Sequence, residues 1–283
     1  MSVVVSPLHL ASQRPGLLGT LFAREPVFAG TALMMLAMMP PTLLAMAFDA
    51  RTLDGVNVWI KPLKFEIALA LYLGTLAWFA GWLPSGYLRS RTHRLLAPAV
   101  AFATAAEMAW IGGAAHMGVA SHFNVATPLA SALYPVMGLL AIVITLPSLT
   151  LGLAFLRSGS ALPSAFRLSL GLGLTMTFVL TVLVAGFMAA AAPGHGVGGT
   201  ASQAAGLPLL GWARDGGDLR VAHFFATHAM HFVPAVGFVA ARTLAERAAR
   251  WTVVTAALGV VILVAYAFVE ALMGLPFPSL AFS

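Results

Sequence analysis

Three of the eight histidines of this chain lie within nine residues of one another. They are His223, His228 and His231, in the segment Gly-Asp-Leu-Arg-Val-Ala-His-Phe-Phe-Ala-Thr-His-Ala-Met-His-Phe at 217–232. An imidazole ring can bind a metal ion, ligate haem iron or carry a proton near neutral pH. This segment is therefore the first place in the chain to look for chemistry.

A second group of such residues occurs earlier, where Glu107 is followed by His116 and His122. At about 100° per residue, His122 lies about 60° from Glu107 around a helix that continues that far. His116 falls on the opposite side of the same helix. The spacing thus predicts that Glu107 and His122 share a face, and it leaves His116 as the less favoured candidate.

The elements that position these residues are predicted to lie in a membrane. Hydrophobic residues make up 60% of the chain and charged residues 8%, and the mean hydropathy is +0.93. A water-soluble protein of this length needs more polar surface, so the composition indicates an integral membrane protein. The net charge of +6 resides in short loops between apolar runs, so nucleic acid is not an expected partner. The absence of cysteine excludes disulfides and thiolate ligands.

The predicted fold is an all-α integral membrane protein, a bundle of about seven transmembrane helices. A span needs about 20 largely apolar residues. Residues 1–27 are expected to form an N-terminal cytoplasmic segment, and 28–283 a single polytopic transmembrane domain. Pro40 and Pro41 are expected to kink the first span, because proline removes a helical hydrogen bond. The seven predicted spans are 28–48, 62–83, 95–119, 129–156, 166–192, 219–241 and 251–272.

The basic residues predict the orientation of the bundle. Ten of the fifteen lie on one side of the predicted spans, which the positive-inside rule assigns to the cytoplasm. The N-terminus is then inside, the C-terminus is outside, and a bacterial inner membrane is the expected location. The ten residues are Arg14, Arg24, Arg89, Arg91, Arg94, Arg157, Arg167, Arg242, Arg247 and Arg250.

In this topology the histidines lie in the outer half of the membrane. His223 lies about one turn below the outer surface, His228 lies deeper, and His231 and Glu107 lie near the middle. An intramembrane ionisable residue usually marks a functional site, so we predict an outward-facing histidine/carboxylate site. Other charged residues at the same end have simpler interpretations: Lys61 and Lys64 reach the headgroups, and Arg220 anchors a helix that Asp218 caps. Glu66 and Glu270 complete this outer group.

The loop at 193–218 contains the segment Gly194-His195-Gly196-Val197-Gly198-Gly199, which fits the glycine pattern of dinucleotide-binding proteins. That pattern is meaningful only between a strand and a helix of a βαβ unit, which the sequence does not predict here. A flexible loop is the expected structure.

The first functional hypothesis is a metal or haem centre. The predicted cofactor and metal ligands are His122, His223 and His228. Glu107 is predicted to be a further metal ligand or the group that transfers a proton. His231 is predicted to be the catalytic partner of Glu107. The cofactor would be haem b or a non-haem iron, copper or zinc ion, since these ligands suit several metals. Such a protein would be a membrane oxidoreductase. Its partners would be the lipid bilayer and a small apolar or quinone-like substrate, or another membrane subunit.

Two alternatives remain open at this stage. In a proton-coupled transporter or proton relay, Glu107 and His231 exchange protons, and His228 and His223 lead outward. Broken helices are usual in transporters, and Pro40-Pro41 would supply one. In a non-catalytic membrane assembly subunit, the polar cluster only specifies helix packing. The second alternative predicts that apolar residues can replace His223, His228 and Glu107.

Overall fold

The computed structural model describes residues 16–84, 86–157, 161–190, 194–200, 206–207 and 210–279. Residues 1–15 of the predicted N-terminal segment and residues 191–192 of the fifth predicted span lie outside this part of the chain. Within it the protein is helical apart from two short antiparallel ladders. The helices are α1 (Leu17–Arg24), α2 (Pro26–Phe48), α3 (Ile60–Ala80), α4 (Arg91–Met117), α5 (Pro128–Arg157), α6 (Ser164–Ala190), α7 (Leu219–Thr227), α8 (Ala229–Thr243) and α9 (Glu246–Leu272).

The helices match the predicted spans to within a few residues. Six of them, α2 to α6 and α9, are long and apolar enough to cross a membrane, and the consecutive helices α7 and α8 form a seventh span if they are counted together. The prediction of a helical bundle with six or seven spans is therefore confirmed. Helix α2 continues through Pro40 and Pro41, whereas the sixth predicted span is interrupted at His228.

Contacts between helix termini define two ends of the bundle. At one end, Glu25 before α2 meets His93 in α4, and Ser164 in α6 meets Glu246 in α9. At the other end, Arg51 after α2 donates a hydrogen bond to the carbonyl of His116 in α4. We call the first the arginine-rich end, because it holds Arg24, Arg89, Arg91, Arg94, Arg157, Arg167, Arg242, Arg247 and Arg250. The second is the histidine-rich end, because it holds His116, His122 and His195. Its assignment to the outside stays a prediction.

Close packing around α6 holds the sixth span in place. Helix α6 packs against α5, α8, α7 and α9. A side-chain carbon built on Gly173 of α6 would lie 2.8 Å from Cδ of Pro234 and 3.0 Å from the carbonyl oxygen of Ala229. Small residues let helix backbones approach closely in membranes, where no hydrophobic effect drives helices together. Gly173 thus allows α8 to begin directly against α6.

The sixth span breaks at His228, where α7 and α8 meet at an angle of 44°. His228 has φ −93° and ψ 2°, outside the α-helical region. The backbone N–H of Met230, in the first turn of α8, donates to Oγ1 of Thr177 in α6 at 2.8 Å. Pro234 lies one turn further on, where its missing N–H leaves a helical carbonyl without its usual donor. The break is therefore stabilised by a specific hydrogen bond from a neighbouring helix.

Helix α4 ends earlier than the pairing of Glu107 with His122 assumed. It stops at Met117, and Gly118 follows in the left-handed conformation with φ 71°. Glycine adopts this conformation without steric penalty and commonly ends a helix. The helical-phase argument therefore does not apply to His122, which lies in the loop between α4 and α5.

Candidate functional site

His228 occupies the break between α7 and α8 and bonds back to α7. Its Nδ1 lies 2.8 Å from the carbonyl oxygen of Phe224, and its ring stacks on the Phe224 ring with centroids 4.0 Å apart. A carbonyl oxygen can only accept, so Nδ1 carries the proton in this hydrogen bond. In the neutral ring, Nε2 then holds a lone pair that can accept a proton or bind a metal. The hydrogen bonds of the His228 ring, to Phe224 and to Oγ1 of Thr227 at 3.1 Å, both involve Nδ1.

His231 lies beside His228 at the beginning of α8. The two ring centroids are 5.4 Å apart, so the rings are direct neighbours. Nε2 of His231 forms a 3.1 Å hydrogen bond with Oγ1 of Thr75 in α3, whereas its buried Nδ1 has no partner among the described residues. A buried polar atom without a protein partner usually contacts water, an ion or a ligand. The histidine pair thus connects the helix break to α3.

His223 is the third histidine of the segment and lies in α7. Its Nδ1 is buried and has no hydrogen-bond partner in the described part of the chain. The break separates His223 in α7 from His231 in α8, and all three histidines are partly buried.

Glu107 lies in the interior, with 3% of its surface exposed, and is the predicted carboxylate of the site. Neither of its carboxylate oxygens has a hydrogen-bond partner among the described residues. Its negative charge attracts the ammonium group of Lys61 in α3. The positive charge of Arg220 in α7 repels the same ammonium group. Lys61 is partly buried. It therefore belongs to the electrostatic environment of Glu107 and α7, in addition to the headgroup role predicted from sequence.

His122 reaches the same region through the loop that follows α4. Its Nδ1 lies 3.0 Å from Oγ of Ser121, and its ring contacts Phe65 of α3 at 5.6 Å between centroids. Trp110 fixes the loop by donating from its indole N–H to the Ser121 carbonyl at 2.8 Å. Burial, with a smaller effect from the nearby charge of Lys61, lowers the pKa of His122 to about 3. His122 is consequently neutral at physiological pH, whereas His116 is exposed at the end of α4.

Asp218 organises the beginning of α7, as its predicted capping role requires. It accepts from the backbone N–H of Arg220 at 3.0 Å and forms an ion pair with the Arg220 guanidinium at 2.6 Å. Nδ1 of His195 lies 3.5 Å from the same carboxylate. Burial alone would raise the pKa of Asp218, but the bonds with His195 and Arg220 outweigh it and hold this pKa below its usual range. The predicted pairing of Asp218 with Arg220 is confirmed.

Part of the glycine-rich loop takes part in this arrangement. Gly196–Val197 (β3) pairs antiparallel with Gly217–Asp218 (β4), and no βαβ unit surrounds it in the described part. A second ladder joins Thr52–Leu53 (β1) to Val56–Asn57 (β2) between α2 and α3. The described part of the predicted flexible loop is therefore tied to the beginning of α7.

The remaining polar residues of the histidine-rich end have separate partners. Glu66 accepts from Oγ1 of Thr42 at 2.6 Å and links α3 to α2. Lys64 donates to the carbonyl of Leu210 at 3.1 Å. Glu270 accepts hydrogen bonds from Tyr266 and Ser279, so it fixes the segment that follows α9. We therefore do not include Glu66 and Glu270 in the candidate site.

The predicted metal ligands do not form a ready coordination sphere. Among the described residues, no three His, Asp or Glu side chains are placed to hold one metal ion together. His228 and His231 adjoin each other, and Lys61 connects Glu107 electrostatically with His122. The structure thus divides the predicted residues into two groups, which contact α3 at different positions, Thr75 and Phe65.

Several residues that contact the histidine segment, or that form a buried polar pair elsewhere, were not predicted from the sequence. Thr75 and Thr177 are ordinary hydroxyl residues of apolar helices, and no sequence spacing relates them to His231 or Met230. At the arginine-rich end, Nε2 of His93 lies 3.3 Å from the carboxylate of Glu25, and both side chains are buried. The pattern Glu25-Pro26 is a helix-start signal that could have identified Glu25 as a cap.

The fold and site define a multi-pass helical membrane protein with partly buried histidines at a broken span. A comparison with protein-family models finds no match, and comparisons with curated proteins and with solved structures find none either. The function must therefore be inferred from the site itself.

Proposed function

We propose that this protein is a proton-coupled membrane transporter whose proton site is formed by His228 and His231. The observation that carries the proposal is the break of the sixth span at His228. Transporters commonly bind substrates and coupling ions near the middle of the membrane, at helices that are interrupted there. Pro40-Pro41 predicts such a break in the first span, but α2 continues through these prolines and the break lies at a histidine instead.

The depth of the break supports this function. His228 lies nine residues after the beginning of α7, about 14 Å along a helix at 1.5 Å per residue. The hydrocarbon core is about 30 Å thick, so His228 lies near its middle when α7 and α8 cross as one span. Irregular backbone at this depth needs protein partners or a water-filled cavity. Thr177 and the His228 ring supply two such partners.

The hydrogen bonding of the histidines suits proton exchange. His228 donates through Nδ1 to Phe224, which leaves Nε2 as the atom that gains and loses a proton. His231 lies next to it and is oriented by Thr75. Protonation of one ring places a positive charge beside the other ring. We expect the positions of α3, α7 and α8 to differ between the protonated and the neutral pair, because these helices carry the two rings and Thr75. His223 extends the histidine group toward the end of the bundle where α7 begins.

Glu107 and Lys61 provide a second proton-dependent interaction. Their charges attract one another when Glu107 is ionised, and the attraction ends when Glu107 binds a proton. Because Lys61 belongs to α3 and Glu107 to α4, protonation weakens an electrostatic link between these helices. In the transport cycle, protonation of Glu107 would release its attraction to Lys61, while His228 and His231 bind and release the transported proton.

Proton coupling is tested in vesicles that contain the purified protein and an internal pH indicator. Small weak acids, amines and apolar solutes are added outside in turn. A coupled solute should change the internal pH in wild-type vesicles, and His228→Ala should abolish this change. His116→Ala is the matched control, because His116 is exposed outside the histidine group. Solute uptake that is equally fast with and without a pH gradient would contradict coupling.

Binding of haem or a metal ion is the second candidate function. The observation that favours it is the hydrogen bond from His228 to a backbone carbonyl, because metal-ligating histidines usually donate their other N–H in this way. His228 would be the ligand through Nε2, and the joint ligand set of His122, His223 and His228 stays a prediction from the sequence, because the described side chains do not converge on one point. Bound haem would supply one-electron redox chemistry, with a quinone-like molecule as a suitable substrate.

An optical spectrum and an elemental analysis of the purified protein distinguish these candidates. A Soret band that disappears in His228→Ala would identify haem, and a stoichiometric metal lost in this variant would identify a non-haem centre. A metal retained in the His223→Ala, His228→Ala double variant would contradict this ligand assignment.

A further inference from the structure

A cationic cleft lies at the arginine-rich end of the bundle, opposite the histidine-rich end. It has a volume of about 510 Å³ and lies beside the first turns of α9. A smaller depression of about 120 Å³ shares Leu168 and Arg250 with it and extends between α5 and α6. The cleft and depression together expose the guanidinium groups of Arg167, Arg247 and Arg250.

The three arginines leave the cleft positively charged. Its lining contains one carboxylate, Glu246, which accepts a hydrogen bond from Oγ of Ser164 at 2.6 Å. Within the described part of the chain, none of the three arginines forms an ion pair. A guanidinium group presents several donors in one plane and binds phosphate oxygens with two hydrogen bonds. The cleft therefore has the charge and the donors that a phosphate group needs.

The rest of the lining is apolar and belongs to the lipid-facing surface. Leu168 and Val254 lie deeper along α6 and α9 than the arginines, and Trp251 leaves 63% of its surface exposed. Tryptophan is enriched at the level of the lipid headgroups. A ligand that matches this lining carries a phosphate next to hydrocarbon chains, which is the chemistry of a phospholipid.

We propose that the cleft between α5, α6 and α9 binds an anionic phospholipid, with Arg167 and Arg250 contacting its phosphate. Basic pockets between transmembrane helices on the cytoplasmic side are suited to such headgroups. The acyl chains would lie along Leu168, Val254 and Trp251. This inference does not depend on the proton-coupled function and concerns the opposite end of the bundle.

Native mass spectrometry of the purified protein in detergent tests the proposal. The protein is titrated with phosphatidylglycerol or with phosphatidylcholine that has the same acyl chains. We expect phosphatidylglycerol to bind more tightly, and we expect Arg167→Gln/Arg250→Gln to lower its affinity about tenfold or more, since charge-assisted bonds to phosphate are lost. The control is Arg89→Gln/Arg91→Gln, which removes the same charge from exposed residues of the same end.

Several results would overturn the proposal. Equal loss of binding in both double variants would show that general surface charge attracts the lipid. Equal affinity of the wild-type protein for the two lipids would exclude headgroup recognition, even if a variant fails to fold. Displacement of the lipid by inorganic phosphate at similar concentrations would show that the site takes a soluble anion.

Discussion

His228 donates a hydrogen bond from Nδ1 to the carbonyl oxygen of Phe224, one turn earlier in the chain, at 2.8 Å. The same carbonyl also accepts from the backbone N–H of His228 at 3.0 Å and from Oγ1 of Thr227 at 2.9 Å, so this one oxygen closes the last turn of α7. The bond orients the imidazole and fixes which of its nitrogens is protonated. One interaction thus connects the break in the helix to the proton chemistry proposed for it.

The contact between α6 and the beginning of α8 predicts a large effect of one added methyl group. Gly173→Ala places a carbon against Pro234 and the Ala229 carbonyl, so we expect a loss of about 1–3 kcal/mol of stability. The control is Gly186→Ala in the same helix, where an added carbon meets open space. Thermal unfolding in detergent measures both. If Gly173→Ala is as stable as Gly186→Ala, α8 does not begin in close contact with α6.

The hydroxyl of Thr177 is expected to be essential for the geometry of the break. Thr177→Ala leaves the buried N–H of Met230 without its acceptor, which costs about 1–3 kcal/mol. Thr177→Ser keeps the oxygen and should retain most of the stability. Thermal unfolding compares the variants, and equal unfolding temperatures for alanine and serine would show that the hydrogen bond contributes nothing.

Replacement of Asp218 tests the beginning of α7. Asp218→Ala removes the helix cap and leaves the Arg220 guanidinium without its carboxylate, so we expect a loss of about 2–4 kcal/mol. Asp215→Ala changes a nearby exposed carboxylate and should cost less than about 1 kcal/mol. Denaturant unfolding in detergent provides the comparison. Similar losses in both variants would argue against a specific role of Asp218.

The buried imidazole of His122 should make the folded protein less stable in acid. Its pKa is about 3 in the folded protein, held down mainly by burial, whereas an unfolded histidine titrates near 6.5. The unfolded state therefore binds more protons between these values, and stability falls as the pH decreases through this window. His122→Gln should flatten this part of the stability profile, while His116→Gln at an exposed position should not. An unchanged profile in His122→Gln would contradict the burial of this imidazole.

The sequence was sufficient to predict the spans because membrane helices carry their signal in composition and length. It also indicated that Asp218 caps α7, which the hydrogen bond from the Arg220 backbone confirms. It did not predict the end of α4 at Gly118, since the apolar pattern of the third predicted span extends to 119. Nor did it predict the break at His228, which depends on contacts with Thr177 and Gly173 of another helix. Partners such as Thr75 come from tertiary packing and leave no local pattern.

The most direct test of proton binding at the broken span is nitrogen NMR of the histidine-labelled protein in lipid bilayers. Resonances are assigned with His223→Gln, His228→Gln and His231→Gln variants, and spectra are recorded as the pH of the bath is lowered. We predict that neutral His228 carries its proton on Nδ1 and that His228 or His231 becomes doubly protonated while the protein stays folded. A His228 ring protonated on Nε2 alone, or two rings whose protonation never changes, would contradict the account.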